Sequence, residues 1–414
     1  MTPSQPLSLA QKPADYSVLF LDMNAYFASV EQQVQSTLRG LPVAIAPYTG
    51  STGCIIARSY EAKEWGVNVG DNVASARKKC PKIKVIEARP ALYQLYHKEI
   101  FKVLNSNAPQ VTALSIDEFI IRLTGRDQTK TGAFKLADNI KSDLKNIADY
   151  MTCSIGIGPN YFLAKVAGES KKPNGTTLIK LSNLDSFYKK IKLRDIPGIN
   201  FRMERQLAER KIYSAYDFYN KSLMELSCLL KFPGKVWYYR MRGWEVDEFV
   251  IKNKTVGHSH VLPPELRTPE KALSVLEKLA SKVAYRLRRE KLWARGIAIR
   301  ISFLSGGGFA DYKHCALFND TGSIIREVRS MIAKCRNWQN PLYVAINTFD
   351  LVSTANRQVS IFADIERSRA MSEALDKIND EHGANTAFYA SSFEGRKAAP
   401  DRIPFGMPRY EIRH

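Results

Sequence analysis

The sequence predicts a mixed α/β fold in several modules: an α/β first half, a run of short helices, and a small β-α-β-β-α-β module beyond them. Three observations carry this. Short apolar runs at 18–21, 111–116 and 152–157 read as buried strands, and the segments between them repeat apolar residues at helical steps. From about residue 181 that alternation gives way to short helical patterns. Past Pro263-Pro264, strands and two longer amphipathic helices resume. At 414 residues the chain is long for one core, which fits separate modules.

Residues 1–15 are polar and proline-containing, a flexible lead-in. The strand at 18–21 runs straight into a helix, because Met23, Tyr26, Phe27, Val30 and Val34 recur at three- and four-residue steps, so Asp22 stands at a strand-to-helix junction. Residues 111–116 and 119–123 read as two strands about a bend that carries Asp117 and Glu118. Neighbours on a straight strand face opposite ways, so local twist or the longer reach of Glu118 has to bring both acids to one site. A strand at 152–157, a Gly158-Pro159-Asn160 turn with Asn160 as N-cap, a helix at 161–170 and a strand at 176–180 complete the first half. The turn Ile196-Pro197-Gly198-Ile199 then joins helices at 187–191 and 202–210, a helix-hairpin-helix pattern in which backbone N–H groups around Gly198 meet a DNA phosphate. A plain αα-hairpin is the alternative.

Residues 252–260 read as a linker that merges into a strand at 256–262. A helix at 269–291 has Leu273, Leu276, Leu279, Ala280, Val283 and Leu287 on one face. Strands at 296–304 and 312–318, a helix at 323–338 and a strand at 342–351 follow, and 364–414 reads as a polar tail with one modest helix at 367–378.

The 61 Lys+Arg against 41 Asp+Glu leave a formal charge of +20, which favours a polyanionic partner such as nucleic acid. No stretch approaches the roughly 20 apolar residues of a spanning helix, and the start lacks the order of a signal peptide, so a cytoplasmic, nucleoid-associated protein without a membrane partner is expected. Arg286, Arg288, Arg289, Arg295 and Arg300 gather on the last module as a DNA-binding surface, with a merely solvated face as the alternative. Six cysteines without a C-x-x-C pair point to reduced thiols, so any metal is expected to be hard and oxygen-bound. Asp22, Asp117 and Glu118 each abut apolar strand, and charge placed there is costly unless a cation neutralises it. Divalent metal answers that need.

Four segments carry a family likeness. They are Leu21-Asp22-Met23-Asn24-Ala25-Tyr26-Phe27-Ala28-Ser29-Val30-Glu31; Ser59-Tyr60-Glu61-Ala62-Lys63 with Gly66-Val67; Ser115-Ile116-Asp117-Glu118; and Gly156-Ile157-Gly158-Pro159-Asn160 through Leu163-Ala164-Lys165 to Lys172-Pro173-Asn174-Gly175. In order and spacing the chain resembles the Y-family DNA polymerases, the translesion class of the bacterial DinB and UmuC types. The resemblance implies a right hand: a ferredoxin-like palm at 16–25 and 90–180, small fingers at 26–89, a helical thumb with its helix-hairpin-helix at 181–247, a linker at 248–257, a little finger at 258–355 and a tail at 356–414.

It also implies low-fidelity, template-directed DNA synthesis on primer-template DNA from incoming dNTP, with two Mg²⁺ ions as cofactor. Asp22 and Asp117 would bridge both ions, Glu118 would lie nearer the primer, and the Met23 carbonyl would complete the nucleotide-side ion. Tyr60, Lys63 and Lys172 match triphosphate-holding positions, with Lys63 in place of the more usual arginine. Phe27 falls at the steric gate against ribonucleotides, and Cys54 and Ile56 map to the fingers surface over the nascent base pair. Asn200 stands where the hairpin often has glycine. Gln358, with Ile361 and Phe362 as apolar anchors, resembles a sliding-clamp motif. The reading from a different class is a catalytically silent DNA- and clamp-binding accessory on the same fold.

Overall fold

The computed structural model describes residues 13–247, 255–335, 338–354 and 363–399, which form two compact units divided in the gap between 247 and 255. In the first, β1 (Val18–Met23) is buried along its whole length and passes through Ala25, in the left-handed region at φ 47°, into α1 (Tyr26–Val34). A three-stranded sheet follows: β2 (Val43–Ala46) lies between β3 (Ala57–Arg58) and β4 (Lys84–Glu87), with α2 (Tyr60–Glu64) and α3 (Val73–Lys79) connecting β3 to β4. Ser59 caps α2, its Oγ accepting from the Ala62 N–H at 3.3 Å, which fixes where Tyr60 and Lys63 emerge.

Next, α4 (Pro90–Asn107) leads to β5 (Val111–Ala113) and β6 (Glu118–Arg122), and α5 (Lys130–Ile147) to β7 (Cys153–Gly158). Then α6 (Tyr161–Ser170) and β8 (Thr176–Leu178) finish a five-stranded sheet of order β5-β6-β1-β7-β8. The sheet is buried on both faces. Leu19 and Leu21 of β1 join Phe119, Ile140 and Ile155 in one core, whereas Val18 and Phe20 point the other way with Ile120, onto Ala164 of α6. Asp22 belongs by this alternation to the α6 face.

Helix α6 lies very close to the sheet. A Cβ added at Gly156 would stand 1.8 Å from the Ala164 carbonyl oxygen and 2.3 Å from the Gly168 nitrogen, so helix and strand touch backbone to backbone. Asn160 caps α6 as the sequence suggests, accepting from the Leu163 N–H at 2.8 Å. It also donates to the Arg240 and Trp244 carbonyls, which ties α6 to the helices that follow. These are α7 (Leu184–Tyr188), α8 (Phe201–Ala208), α9 (Ala215–Asn220), α10 (Leu223–Leu230) and α11 (Phe232–Arg240), packed around Tyr188, Phe218 and Trp237. Gly198 adopts φ 96° in the turn before α8, a left-handed conformation that a side chain disfavours.

The second unit builds the expected β-α-β-β-α-β order: β9 (Thr255–Val261), α12 (Pro269–Arg289), β10 (Leu292–Phe303), β11 (Gly308–Phe318), α13 (Thr321–Ile332) and β12 (Pro341–Ser353), with sheet order β11-β10-β12-β9. Ile297, Ile299 and Ile301 pack against α12 and α13, leaving the alternate residues, among them Arg300, on the opposite face. The expected linker at 248–257 is shorter than that, since residues 255–257 already pair in β9.

The largest correction concerns the expected tail. It forms α14 (Ala363–His382) and runs back over the unit to Ala399. Asp376 takes Arg288 through two bonds of 2.6 and 2.7 Å, Ser372 Oγ accepts from the Thr321 N–H, and Gly395 N–H donates to Ser274 Oγ. Arg288 therefore serves the interior of the unit, with a side chain 8% exposed, instead of a nucleic-acid surface. Arg286 donates to the Gly257 carbonyl, while Arg289, Arg295 and Arg300 are exposed. Gln358, Ile361 and Phe362 lie outside the described residues. Among the described residues no helix is long and apolar enough to cross a membrane.

The backbone contact of α6 gives a direct test. Gly156→Ala should lower the unfolding free energy by about 1–3 kcal/mol or more through overpacking. Gly50→Ala, whose added methyl would meet only Tyr48 at 3.5 Å, should stay within about 0.5 kcal/mol. Urea unfolding of both variants checks the contrast.

Candidate active site

Register brings the acids together. Asp22 pairs directly with Glu118 across the antiparallel β1 and β6, so the two carboxylates share one sheet face, where like charges opposite each other destabilise the sheet. Asp117 arrives from the bend before β6. Ser115 Oγ bonds the Asp117 carboxylate at 2.5 Å and accepts from the Asp117 and Glu118 N–H groups, while the Asp117 carbonyl accepts from the Met23 N–H at 2.9 Å. That bend resolves the geometric difficulty two adjacent acids would have on a straight strand.

All three acids line one cavity of about 630 Å³ with Met23, Phe27, Ile56, Tyr60, Lys63 and Lys172. The cavity also takes in residues the sequence reading passed over, notably Arg58, Ser115 and Glu169. Ser115 was legible as a turn residue within a quoted motif. Cys54 is exposed and is not among the lining residues, so Ile56 alone of that pair reaches the cavity. Phe27 stacks on Tyr93, with ring centroids 4.5 Å apart and planes 12° apart. Tyr93 is itself fixed by its hydroxyl on the buried Glu31 at 2.8 Å. Nothing in the sequence pattern singled out this backing plate, because Tyr93 lies far from Phe27 along the chain.

Two lysines from the α6 region meet the acids. Lys165 donates to both Glu118 oxygens at 2.7 and 2.9 Å, and Lys172, just past the helix, reaches Asp22 at 2.9 Å and Glu169 at 2.6 Å. Burial pushes Asp22 up to about 7, although Lys172 pulls the other way. Burial also raises Asp117, against the Ser115 hydrogen bond. Lys172 is itself disfavoured by burial, but Asp22 and Glu169 outweigh this and hold it above the usual lysine range. The cavity thus disfavours carboxylate charge more than its lysines relieve it, a donor set of hard oxygens that a divalent cation fits. Among the described residues no three acidic, histidine or cysteine side chains close on one point, as Lys165 and Lys172 each hold a carboxylate.

A family model described as impB/mucB/samB family matches residues 21–169, and one described as impB/mucB/samB family C-terminal domain matches 253–361. The chain is 28% identical over 390 residues to a DNA polymerase IV of Moorella thermoacetica, covering 92% of this chain and 97% of the relative. It is 26% identical over 385 residues to a DNA polymerase IV of Pelotomaculum thermopropionicum, covering 91% and 95%. Among solved structures, a Dbh-Dpo4-Dbh Y-family DNA polymerase chimera superposes with TM-score 0.71 at 21% identity, over 81% of this chain and 99% of the other. An insertion ternary complex of Dbh DNA polymerase gives 0.57 at 22% identity over the same shares. The structural likeness is one of fold: palm, fingers, thumb and little finger.

The raised Asp22 sets a pH test. An acid held above its unfolded value binds a proton more tightly when folded. Relative to Asp22→Asn, the parent protein in EDTA should therefore lose on the order of a few kcal/mol of stability as pH rises from about 4 through about 7, and level off above. Urea unfolding across that range reads it. A difference that stays constant would mean that the folded chain holds Asp22 charged throughout.

Proposed function

This chain belongs to the impB/mucB/samB family of Y-family DNA polymerases, and we propose that the acidic cavity is its nucleotidyl-transfer centre. It is a DNA-directed DNA polymerase of the translesion class. The observation that carries the proposal is the meeting of the buried Asp22 and the half-buried Asp117, each resisting its charge, with phosphate-suited groups in one cavity.

In this reading Asp22, Asp117, Glu118 and the Met23 carbonyl would hold Mg²⁺, with Asp22 and Asp117 serving both ions, Glu118 the primer side and the Met23 carbonyl the nucleotide side. Bound there, the metal would supply Lewis acidity, lowering the pKa of the primer 3′-hydroxyl and neutralising the departing pyrophosphate. The chain's own residues position the reactants. Tyr60 and Lys63, delivered by the start of α2, and Lys172 hold non-bridging oxygens of the triphosphate. Lys172 is already paired with Asp22, so nucleotide and metal together would exchange one lysine–carboxylate pair for two better-matched ones. Phe27, braced by Tyr93, lies where a ribose 2′-hydroxyl would collide. Ile56 forms the roof over the nascent base pair.

Primer-template DNA would be held by backbone N–H groups near Gly198 and by the second unit through Arg300 on its open sheet face and the exposed Arg289 and Arg295. Gln358, Ile361 and Phe362 are proposed, on sequence alone, to dock on a sliding clamp.

Primer extension tests the reading. Asp117→Ala should lose about three orders of magnitude in Mg²⁺-dependent extension, the scale of several kcal/mol of lost charge stabilisation, while its unfolding midpoint does not fall. Extension surviving in that variant would remove the centre from this cavity. Phe27→Val should admit ribonucleotides, and Tyr93→Leu should do so more weakly. Unchanged sugar discrimination in both would dismiss the gate.

A further inference from the structure

The cavity wall holds a guanidinium that no role above uses. Arg58 ends β3 two residues after Ile56, and both line the cavity beside Tyr60 and Lys63. Its charge is felt at Tyr60 and at Asp71. Asp71, however, is already engaged, by Lys79 at 2.7 Å and by the Asn68 N–H at 2.7 Å. Among the described residues the Arg58 side chain makes no hydrogen bond or ion pair, and its Nε is buried without a partner. The neighbouring cations differ: Lys172 rests on Asp22 and Glu169, and Lys165 on Glu118.

A charged donor left unsatisfied in a buried place is destabilising, and a structure that keeps one leaves it ready for a group from outside the chain. The ligand it suits is set by shape. A guanidinium offers a planar fork of N–H donors that matches the oxygens of a phosphate two at a time, whereas Lys63 brings a single hydrated point charge. We propose that Arg58 binds the triphosphate of the incoming nucleotide and gives the site its preference for triphosphate over diphosphate, supplying from β3 the bidentate contact that Lys63 lacks. The proposal rests on the reading of the cavity as the nucleotide site.

The test compares the parent protein with Arg58→Gln and Arg58→Lys on primer-template DNA. A charge-assisted phosphate contact corresponds to about 10- to 100-fold in affinity. Arg58→Gln should raise the dNTP KM by that factor with kcat within about threefold, equally for all four templating bases, and Arg58→Lys should fall between. A second readout needs no turnover: with a dideoxy-terminated primer, equilibrium competition of dATP against dADP should show the parent's preference for dATP shrinking in Arg58→Gln. DNA affinity and the unfolding midpoint should not drop.

An unchanged KM and unchanged dATP preference in Arg58→Gln would overturn the proposal, as would a rise confined to one templating base, which marks a nucleobase contact. A lowered unfolding midpoint with Arg58→Lys as impaired as Arg58→Gln would make the residue structural. A parent protein that binds neither dATP nor dADP would instead overturn the reading of the cavity, and the proposal with it.

Discussion

The site in the first unit is arranged around clustered acids: Asp22 stands opposite Glu118 in the strand register, and the Asp117 charge repels Asp22 as the Glu118 charge repels Asp117. A sheet tolerates such a pair only if positive charge is brought to it, and here two lysines come from one direction, the α6 side. That demand explains the close approach of α6 to β7. If the helix stood off at an ordinary side-chain distance, Lys165 could not reach both oxygens of Glu118. Gly156 makes the approach sterically free, Asn160 fixes the helix start, and the chain after Ser170 carries Lys172 to Asp22.

The same arrangement explains why the cavity is not satisfied by its own lysines. Among the described residues Asp117 has no cation beside its carboxylate at ion-pair distance, and the Ser115 hydroxyl bonds it instead. Burial therefore dominates at Asp22 and Asp117, and both are raised above the ordinary aspartate value. The resting protein is electrostatically unfinished at the point where the proposed chemistry needs positive charge.

Much of this was legible in the sequence. Apolar runs ending in acids gave β1 and β6 and the candidate residues, the Gly-Pro-Asn turn gave the α6 cap, and alternating strand and helix patterns gave the second unit's order. What escaped had a common physical origin: contacts between residues far apart in the chain. Tyr93 behind Phe27, Lys165 on Glu118 and Asp376 on Arg288 join segments separated by dozens of residues, and no local periodicity encodes such meetings. Arg288 shows the hazard. It read as one more member of a basic cluster, because its counter-charge sits on a helix whose amphipathic signal is weak. Arg58 was hidden for the opposite reason, since a lone arginine beside a motif carries no pattern at all.

The return of the last segment over the second unit bears on how this protein is made. Arg288 waits 88 residues for Asp376, and Ser274 waits longer still for Gly395. As synthesis proceeds from the N-terminus, residues 13–247 are made before the second unit, whose interior closes only when α14 and the stretch to Ala399 emerge. A message cut short before α14 would yield the first unit joined to an unsealed second one with Arg288 unpaired inside it. Cellular quality control acts on such unsealed interiors, so the return of α14 couples the persistence of the second unit to the making of the segment that closes it.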